Sequence, residues 1–254
     1  MTANTASSEA KPDGVPGKAK TDKKHLPVWQ ETILLLGIAL VLAVVIKALF
    51  VQAFYIPSES MEPGLVKNDR ILVEKPSYWF DGPERGDVVV FKDPGGWLPA
   101  EESASPGGVK GVLSKIGLYP AGGHLVKRVI GVEGDVIKCC DDQGRISVNG
   151  HPLDEKDYAR LDGAQCYGPM PSGESHCDWE VGPVPKGKLF VMGDNRSHSG
   201  DSTVHACFGR AGCDESPYVD VDEVVGRAFV LPWPRDRFTF IHRPDSFDDV
   251  PDAD

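Results

Sequence analysis

One serine and one lysine have the residue types that nucleophilic catalysis needs. Ser60 lies in the segment IPSESMEPGL (56–65), where Pro57 and Pro63 bar a regular helix and leave the hydroxyl in a turn. A serine hydroxyl attacks a carbonyl carbon only when a neighbouring base takes its proton. Without such a base Ser60 is an ordinary turn residue, so the functional hypothesis depends on finding one.

Lys127 is the candidate base, because it stands inside the apolar segment HLVKRVIGVEGD (124–135). Burial strips water from an ammonium group and lowers its pKa. A free lysine has a pKa of about 10.4 and is almost fully charged at neutral pH. A fall of about 2–3 pKa units, worth roughly 3–4 kcal/mol, would make Lys127 a competent general base. The alternative is a strand-edge lysine that remains in water.

A third segment, VMGDNRSHSGDS (191–202), follows a short apolar run and predicts a tight polar turn after Gly193. Taken alone, this turn is either a solvated loop or a calcium loop. Its carboxylate spacing does not match the hand-type calcium motif, so no calcium site is predicted.

The chain has six cysteines, all C-terminal to the serine and lysine segments. They are Cys139, Cys140, Cys166, Cys177, Cys207 and Cys213. Disulfides are expected outside the cytoplasm, and short loops favour Cys166 with Cys177 and Cys207 with Cys213, although the sequence does not fix the pairing. A zinc site is the alternative, with the candidate ligands His176, Cys177, His205, Cys207 and Cys213. No pair has the C-x₂-C spacing, so neither a metal nor another cofactor is predicted.

An apolar stretch, ILLLGIALVLAVVIKALFV (33–51), stands just before the serine segment. Its 19 residues would form a helix of roughly 28 Å, close to the thickness of a bilayer core. Lys47 lies near its end, where the side chain can reach the interface. We therefore predict a single-pass transmembrane helix over 29–51, with Ser60 within about 30 Å of its end. A buried core helix is the alternative, but the apolarity is continuous rather than one-sided.

The flanking charges predict the orientation of this helix. Residues 1–28 form a polar tail with five lysines, predicted to be disordered, whereas residues 52–63 contain neither Lys nor Arg. The positive-inside rule then puts the N-terminus in the cytoplasm and residues 52–254 on the outer side of the cell membrane. The rival is a secretory signal cleaved near Val51, although the stretch is longer than the usual signal core.

The outer part is predicted to be mainly β. Gly and Pro, with 28 and 21 residues, disfavour long helices. Alternating, strand-like segments occur at 70–74, 87–92, 125–132, 189–192 and 224–231. They predict a β-rich core over 52–135 and 188–243, with a smaller inserted region at 136–187 between its halves. An exposed loop is expected over 95–123 and a mobile acidic tail over 244–254.

The charge balance excludes one class of partner. With 27 Lys+Arg against 38 Asp+Glu, the net charge of −11 disfavours a nucleic-acid binder that relies on phosphate contacts. The chain is 41% apolar and 26% charged, which is ordinary for a globular protein and excludes disorder throughout.

Four blocks in this order, behind one anchor, resemble bacterial type I signal peptidase, a family of membrane-bound serine proteases. The family's serine box, P-S-x-S-M-x-P-T-L, is similar to PSESMEPGL (57–65). RGDVVVF (85–91) resembles the next box and KRVIG (127–131) the lysine box. GDNR (193–196) and SGDS (199–202) resemble the last box. The matches extend over 29–92, 124–135 and 188–234, more than half of the chain.

The resemblance implies a mechanism and a substrate. Ser60 would be the nucleophile and Lys127 the general base, while the Ser58 hydroxyl and the Ser60 N–H group would form an oxyanion hole. The Ser199 hydroxyl would orient the lysine amine. The substrates would be secretory preproteins, cleaved after small residues at −3 and −1, and membrane phospholipids would be the other partner.

Six aliphatic residues fall where the family lines shallow pockets for the −1 and −3 side chains. They are Ile56, Met61, Leu65, Ile71, Val90 and Val126. On residue type alone they are ordinary core residues.

The resemblance also implies structural roles, with two departures. Asp194 would pair with Arg128 and join two boxes. The family's Thr is replaced by Gly64, which is expected to loosen the serine loop.

The family's Arg after Asp-Ser is replaced by Thr203, so Asp201 needs another partner or a more exposed position. The candidate partners are Arg196, Arg210 and Arg227, with a Cys207–Cys213 disulfide as another possible brace.

Three other functions are compatible with parts of the pattern. Self-cleaving repressors share a Ser/Lys dyad and a similar β core, but they are soluble and carry a DNA-binding head. A Ser-His-Asp hydrolase would use a histidine such as His198, but no G-x-S-x-G surrounds any serine. A catalytically weak or inactive membrane-tethered module that binds exported chains would be favoured by loss of Ser60 or Lys127, and both are present.

Overall fold

A computed structural model gives the fold over residues 27–79, 81–99, 108, 122–160, 178–206 and 216–253. Some sequence-based predictions fall outside these ranges: the disordered tail, most of the 95–123 loop, and the pairs Cys166–Cys177 and Cys207–Cys213. The predicted position of the Lys47 side chain is likewise outside what the structure describes. Contacts divide the chain into two units, Met1–Leu42 and Ala43–Asp254.

The apolar stretch folds as helix α1, Val28–Phe50. Its segment Val28–Val45 is long and apolar enough to cross a bilayer. Leu34, Leu35 and Leu36 point in successive directions around the helix, and all three are exposed. A core helix would bury one face, so this exposure argues against that alternative. The helix starts one residue before the predicted span and ends at Phe50, because the next residue begins a strand.

Twelve strands follow in the described part of the chain. In chain order they are β1 Val51–Tyr55, β2 Arg70–Glu74, β3 Val88–Lys92, β4 His124–Gly131, β5 Ile137–Cys139, β6 Ser147–Val148, β7 His151–Pro152, β8 Trp179–Val181, β9 Lys188–Met192, β10 Tyr218–Asp220, β11 Val224–Trp233 and β12 Thr239–Phe240. The five predicted strands are all present, with ends within two residues of the prediction. The mainly β fold class is therefore confirmed.

The larger sheet is antiparallel and, within the described residues, has the order β1-β2-β11-β3-β4-β9-β10, with β12 beside β11. Strand β4 lies between β3 and β9. Its register sets Lys127 opposite Val89 and Arg128 opposite Met192, so both basic residues project from an interior strand. The loop between β1 and β2 carries Ser60.

The chain between β4 and β9 forms a smaller sheet, with the order β7-β6-β5-β8 in the described residues. Its strands are two or three residues long. The side chains of Ile137, Ile146 and Leu153 are fully buried and share a core with Phe190 and Met192 of β9. This shared core joins the smaller sheet to the larger one.

The expectation of a mobile acidic tail is wrong for residues 244–253. Phe247 and Val250 are buried in the core shared by the two sheets. The Nδ2 atom of Asn149 donates a hydrogen bond to the Pro251 carbonyl at 2.9 Å. Burial of two large apolar side chains offsets the entropy cost of ordering this short segment.

Candidate active site

The serine loop, residues 56–69, connects β1 to β2 and carries Ser60. Its two ends are held together, because Ile56 N–H donates to the Asp69 carbonyl and Asn68 N–H donates to the Ile56 carbonyl, both at 2.9 Å. The Ile56 side chain is 1% exposed and anchors the loop on the core. Ser60 is therefore presented on a short, tied loop just beyond β1.

A second loop, residues 193–201, holds the serine loop from the other side. The Asn195 N–H group donates to the Ser60 carbonyl at 3.0 Å, and Asn195 Nδ2 donates to the Glu59 carbonyl at 3.1 Å. Sequence reasoning gave Asn195 no role, although its place inside the GDNR block was a signal. It fixes the backbone of the residue that carries the candidate nucleophile.

Ser60 and Lys127 are hydrogen-bonded to each other in a buried setting. Lys127 Nζ lies 2.6 Å from Ser60 Oγ, and the two residues are 3% and 6% exposed. The alternative of a strand-edge lysine in water is therefore wrong. Burial lowers the pKa of Lys127 from 10.5 to about 8, while the charges of Asp201 and Asp194 act in the opposite direction. The amine gives up its proton far more readily than a free lysine does.

Two hydrogen-bond donors stand beside the Ser60 hydroxyl. The Oγ atoms of Ser58 and Ser60 are 3.3 Å apart, and the Ser58 side chain is exposed. The N–H group of Ser60 donates to none of the residues that the structure describes. Both groups can therefore donate to a negative charge that develops on a bound carbonyl oxygen.

Arg128, the residue after the lysine, pairs with Asp194. Its Nε and Nη2 atoms donate to Oδ1 and Oδ2 of Asp194 at 2.8 and 2.7 Å, and both side chains are buried. Nη1 donates to the Gly86 carbonyl at 2.8 Å. One guanidinium group thus ties the lysine strand to the 193–201 loop and to the RGDVVVF block.

Asp201 is 1% exposed and caps the N-terminus of the short helix α2, Ser202–His205. Its Oδ1 atom accepts hydrogen bonds from Thr203 Oγ1 at 2.7 Å and from Thr203 N–H at 3.0 Å. Its Oδ2 atom accepts one from Gly193 N–H at 2.9 Å. The expectation of an arginine partner or a more exposed position is therefore wrong, because Thr203 itself supplies the replacement donor.

The three arginines considered for this acid lie elsewhere. Arg196 pairs with Glu155, Arg227 pairs with Glu74, and Arg210 is outside the described ranges.

Gly193 lies where the two loops touch. A Cβ atom at this position would fall inside van der Waals contact of the Ser60 carbonyl oxygen and of Ser199 Oγ, so the close approach requires glycine. Ser199 is 1% exposed, and its Oγ has no hydrogen-bond partner among the described residues. The structure thus places Ser199 beside Ser60 without a hydrogen bond to Lys127.

Gly64 has no backbone requirement for glycine. A Cβ atom there would lie at ordinary contact distances, 3.8 Å from the Met61 carbonyl and 4.0 Å from Asp194 Oδ2, so a β-carbon is accommodated at this position. The Gly64 carbonyl accepts a hydrogen bond from Arg237 Nη2 at 3.0 Å, and Arg237 pairs with Asp69 at 3.1 Å. Arg237 therefore braces the loop that lacks the threonine.

The six aliphatic residues assigned to substrate pockets belong to one hydrophobic cluster beside the serine loop. Val126 is partly buried. The buried members are Ile56, Met61, Leu65, Ile71 and Val90.

The alternative centres are not assembled in the described residues. His198 is exposed, and the His205 ring stacks on Trp97 with 4.5 Å between ring centroids. Within the same ranges no group of three His, Cys, Asp or Glu side chains could hold a metal ion. Cys139 and Cys140 are bonded to each other, and the remaining zinc candidates lie outside the description.

The profile of one protein family, described as signal peptidase, peptidase S26, matches residues 29–233. The chain belongs to this family of signal peptidases. This signal peptidase is 38% identical over 253 residues to signal peptidase I of Mycobacterium tuberculosis, covering 92% of this chain and 83% of the relative. It is 34% identical over 219 residues to signal peptidase I of Leptolyngbya laminosa, covering 85% and 86%.

A solved signal peptidase I from Enterococcus faecalis shares 19% identity with this signal peptidase and covers 57% of it and 95% of its own chain. The TM-score of that match is 0.31, too low to support an argument about the fold.

Family membership and relatives show that this signal peptidase is an enzyme of the signal peptidase I type, a serine peptidase that cleaves signal peptides from exported preproteins. Together with helix α1, they indicate a membrane-anchored protein. The alternatives of a self-cleaving repressor and a Ser-His-Asp hydrolase therefore do not apply.

Proposed function

We propose that this signal peptidase uses Ser60 as the nucleophile and Lys127 as the general base, and cleaves after small residues at −3 and −1 of a preprotein. The observation that carries the proposal is the 2.6 Å contact between Lys127 Nζ and Ser60 Oγ in a buried site. An amine with a pKa of about 8 is neutral often enough to accept a proton under mildly alkaline conditions.

In the first step, the lone pair of neutral Lys127 Nζ accepts the proton of Ser60 Oγ, and Oγ bonds to the carbonyl carbon of the scissile peptide. The carbonyl oxygen becomes an oxyanion that accepts hydrogen bonds from Ser60 N–H and the Ser58 hydroxyl. The C–N bond then breaks, and protonated Lys127 gives its proton to the leaving amine of the mature protein. The signal peptide remains joined to Ser60 as an ester.

In the second step, a water molecule attacks the ester carbonyl while neutral Lys127 takes one of its protons. The tetrahedral intermediate collapses, the C–O bond to Ser60 breaks, and Lys127 returns the proton to Ser60 Oγ. The signal peptide leaves with a free carboxyl group. One lysine serves both steps because each step ends with its amine neutral.

Ser199 and Asp194 complete the proposed site as positioning residues. The Ser199 hydroxyl is buried beside Ser60 and unpaired within the described residues, so it is suited to orient the Lys127 amine. Asp194, through its pair with Arg128, joins the lysine strand to the loop that carries Ser199.

We further propose that the preprotein binds in extended form, as a strand added to the sheet. Strand β1 ends one edge of the described larger sheet and leads directly into the serine loop, so a peptide along that edge would pass Ser60. The aliphatic cluster beside the loop supplies apolar walls.

The proposed topology puts the N-terminal tail in the cytoplasm and residues 52–254 on the outer side of the membrane. Five lysines precede helix α1, and none follows it closely. Helix α1 would contact membrane phospholipids through its exposed apolar side chains. Ser60 lies nine residues after Val51, so an extended chain keeps it within about 30 Å of the membrane end of the helix.

The test is cleavage of a preprotein in detergent by the full-length enzyme and its variants. Ser60→Ala and Lys127→Ala are each expected to lose at least about a thousandfold in kcat/KM. Lys127→Arg keeps the charge but cannot give up a proton near neutral pH, so it should also be inactive. Lys92→Ala, which removes an exposed lysine on β3, is the matched control and should keep full activity.

Undiminished processing by Ser60→Ala or Lys127→Ala contradicts the dyad. A wild-type protein that binds preproteins and leaves them intact would instead favour the inactive membrane-tethered module.

A further inference from the structure

The segment 155–160, which we call the clamp segment, contacts both loops of the candidate site. Its Arg160 carbonyl accepts a hydrogen bond from Arg196 N–H at 3.3 Å. On the serine-loop side, Ala159 forms a backbone bridge with Pro63. The clamp segment belongs to the region between β4 and β9, outside all four blocks of the family resemblance, so sequence reasoning gave it no role.

Two side chains of the clamp segment, those of Glu155 and Tyr158, contact the arginines that border the site. Glu155 Oε1 lies 2.6 Å from Arg196 Nη1, and the two side chains are 2% and 0% exposed. The Tyr158 hydroxyl donates to Glu155 Oε1 at 3.0 Å, and the Tyr158 ring centroid lies 4.5 Å from the guanidinium carbon of Arg128. Arg196 Nε donates to the Gly193 carbonyl at 2.9 Å. These contacts link Glu155 to both arginines that border the site.

A contribution to the stability of the protein does not explain why Glu155 and Arg196 form a buried ion pair. Glu155 Oε2 and both Nη atoms of Arg196 have no hydrogen-bond partner among the described residues. A buried ion pair that is incompletely hydrogen-bonded contributes little net stability. The balance of charge around Asp194 gives a better reason for the Glu155–Arg196 pair. Arg128 and Arg196 are both buried near Asp194. Burial acts to lower the pKa of each arginine, whereas the negative charge of Asp194 acts to raise it, and the net pKa of both is raised.

We propose that Glu155, assisted by Tyr158, is a positioning residue for the catalytic site. The Glu155 carboxylate engages Arg196, and Asp194 is thereby left to Arg128. Without the Glu155 charge, Arg196 would keep Asp194 as its buried acidic neighbour and compete with Arg128 for it. The inference rests on the proposed Ser/Lys dyad.

A shift of Asp194 would reach the dyad directly. Asp194 follows Gly193, whose backbone is packed against the Ser60 carbonyl and against Ser199 with no room for a methyl group. Reacting groups that move by a fraction of an ångström lose much of their rate advantage, because the reaction depends on alignment of the two partners. Loss of the Glu155 charge should therefore lower kcat more than it alters substrate binding.

The test measures kcat and KM separately for preprotein cleavage by the full-length enzyme in detergent. Glu155→Gln keeps the side-chain shape but removes the charge, and it should lower kcat at least about tenfold with KM within about threefold of wild type. Glu155→Asp keeps the charge and should retain a higher kcat than Glu155→Gln. Asp154→Asn makes the same acid-to-amide change at an exposed neighbour and should match wild type.

A folded Glu155→Gln enzyme with wild-type kcat overturns the inference, as does an equal loss in Glu155→Asp and Glu155→Gln. If Glu155→Gln fails to fold by circular dichroism, Tyr158→Phe decides. This variant removes only the hydroxyl bonded to Glu155 and keeps the ring beside Arg128. We expect it to lower kcat at constant KM, and a wild-type kcat would overturn the inference.

Ser60→Ala, assayed in parallel, separates the two possible failures. If Ser60→Ala still cleaves, the dyad fails and the inference fails with it. If Ser60→Ala is inactive while folded Glu155→Gln is fully active, only the positioning role is rejected.

Discussion

The hydroxyl of Thr203 donates a hydrogen bond to Oδ1 of Asp201 at 2.7 Å, at a position where the family resemblance implies an arginine. With Thr203 N–H and Gly193 N–H as its other donors in the described chain, Asp201 is a buried carboxylate held by neutral groups. Burial lowers the pKa of Lys127, and the negative charge of Asp201 offsets part of this lowering.

Replacing Thr203 by Val is expected to destabilise the protein by about 2 kcal/mol, because a buried carboxylate loses its hydroxyl donor. The measurement is urea unfolding of the detergent-solubilised protein at pH 7. Thr203→Ser keeps the hydroxyl and should unfold near the wild-type midpoint. Equal midpoints for the Val and Ser variants would show that the hydroxyl does not support Asp201.

Replacing Gly193 by Ala is expected to lower kcat at least about a hundredfold, because the added methyl group collides with the Ser60 carbonyl and with Ser199. The measurement is the steady-state rate of preprotein cleavage. Gly200→Ala is the matched control in the same loop, since nothing lies within 4 Å of its added Cβ atom. A fully active Gly193→Ala enzyme would mean that the two loops are not in this contact during catalysis.

Replacing Lys127 by Met is expected to abolish cleavage but to raise the free energy of unfolding at pH 7 by about 3 kcal/mol. This figure corresponds to the fall in the Lys127 pKa from 10.5 to about 8, which measures the cost of burying the charged amine. Urea unfolding of the two proteins in detergent checks it, with Lys92→Met as the exposed control. A Lys127→Met protein less stable than wild type at pH 7 would contradict a buried, destabilised ammonium group.

The same difference should shrink as the pH rises. Between about pH 8 and 10.5 the unfolded chain binds a proton at Lys127 that the folded protein has released, so the wild type gains stability across this window. Below about pH 8 both states are protonated and the full cost is present. The Met variant has no such group, and its stability should not change in this way.

The sequence was sufficient to predict the parts of the fold with strong local patterns. Five strands of the larger sheet showed strand-like patterns over four or more residues, and helix α1 showed an apolar run broken only by Lys47. The strands of the smaller sheet are two or three residues long, too short for a period to be visible. The tail was misjudged because Phe247 and Val250 are two apolar residues among acids, and their burial depends on a core built elsewhere in the chain.

The candidate site was predictable in its residue types and only partly in its contacts. Lys127 stood out because a lysine among aliphatic residues is unusual, whereas Ser60 was an ordinary turn residue until its segment was found to resemble the family's serine box. The partner of Asp201 was missed, although Asp-Ser-Thr before a short helix is a typical N-cap sequence. The GDNR block marked the position of Asn195, but the contacts of Asn195 and Glu155 join loops far apart in the chain, which a local pattern does not encode.

The most direct test of the proposed dyad is the pH dependence of kcat/KM for preprotein cleavage by the wild-type enzyme. This profile reports the ionisation of groups in the free enzyme. We expect activity to fall about tenfold per pH unit on the acidic side, with one proton involved and a midpoint at about pH 8, the pKa of the buried Lys127 amine. A profile that is flat from about pH 6 to 9, or a midpoint near the histidine value of about 6.5, would contradict a neutral lysine as the base for Ser60.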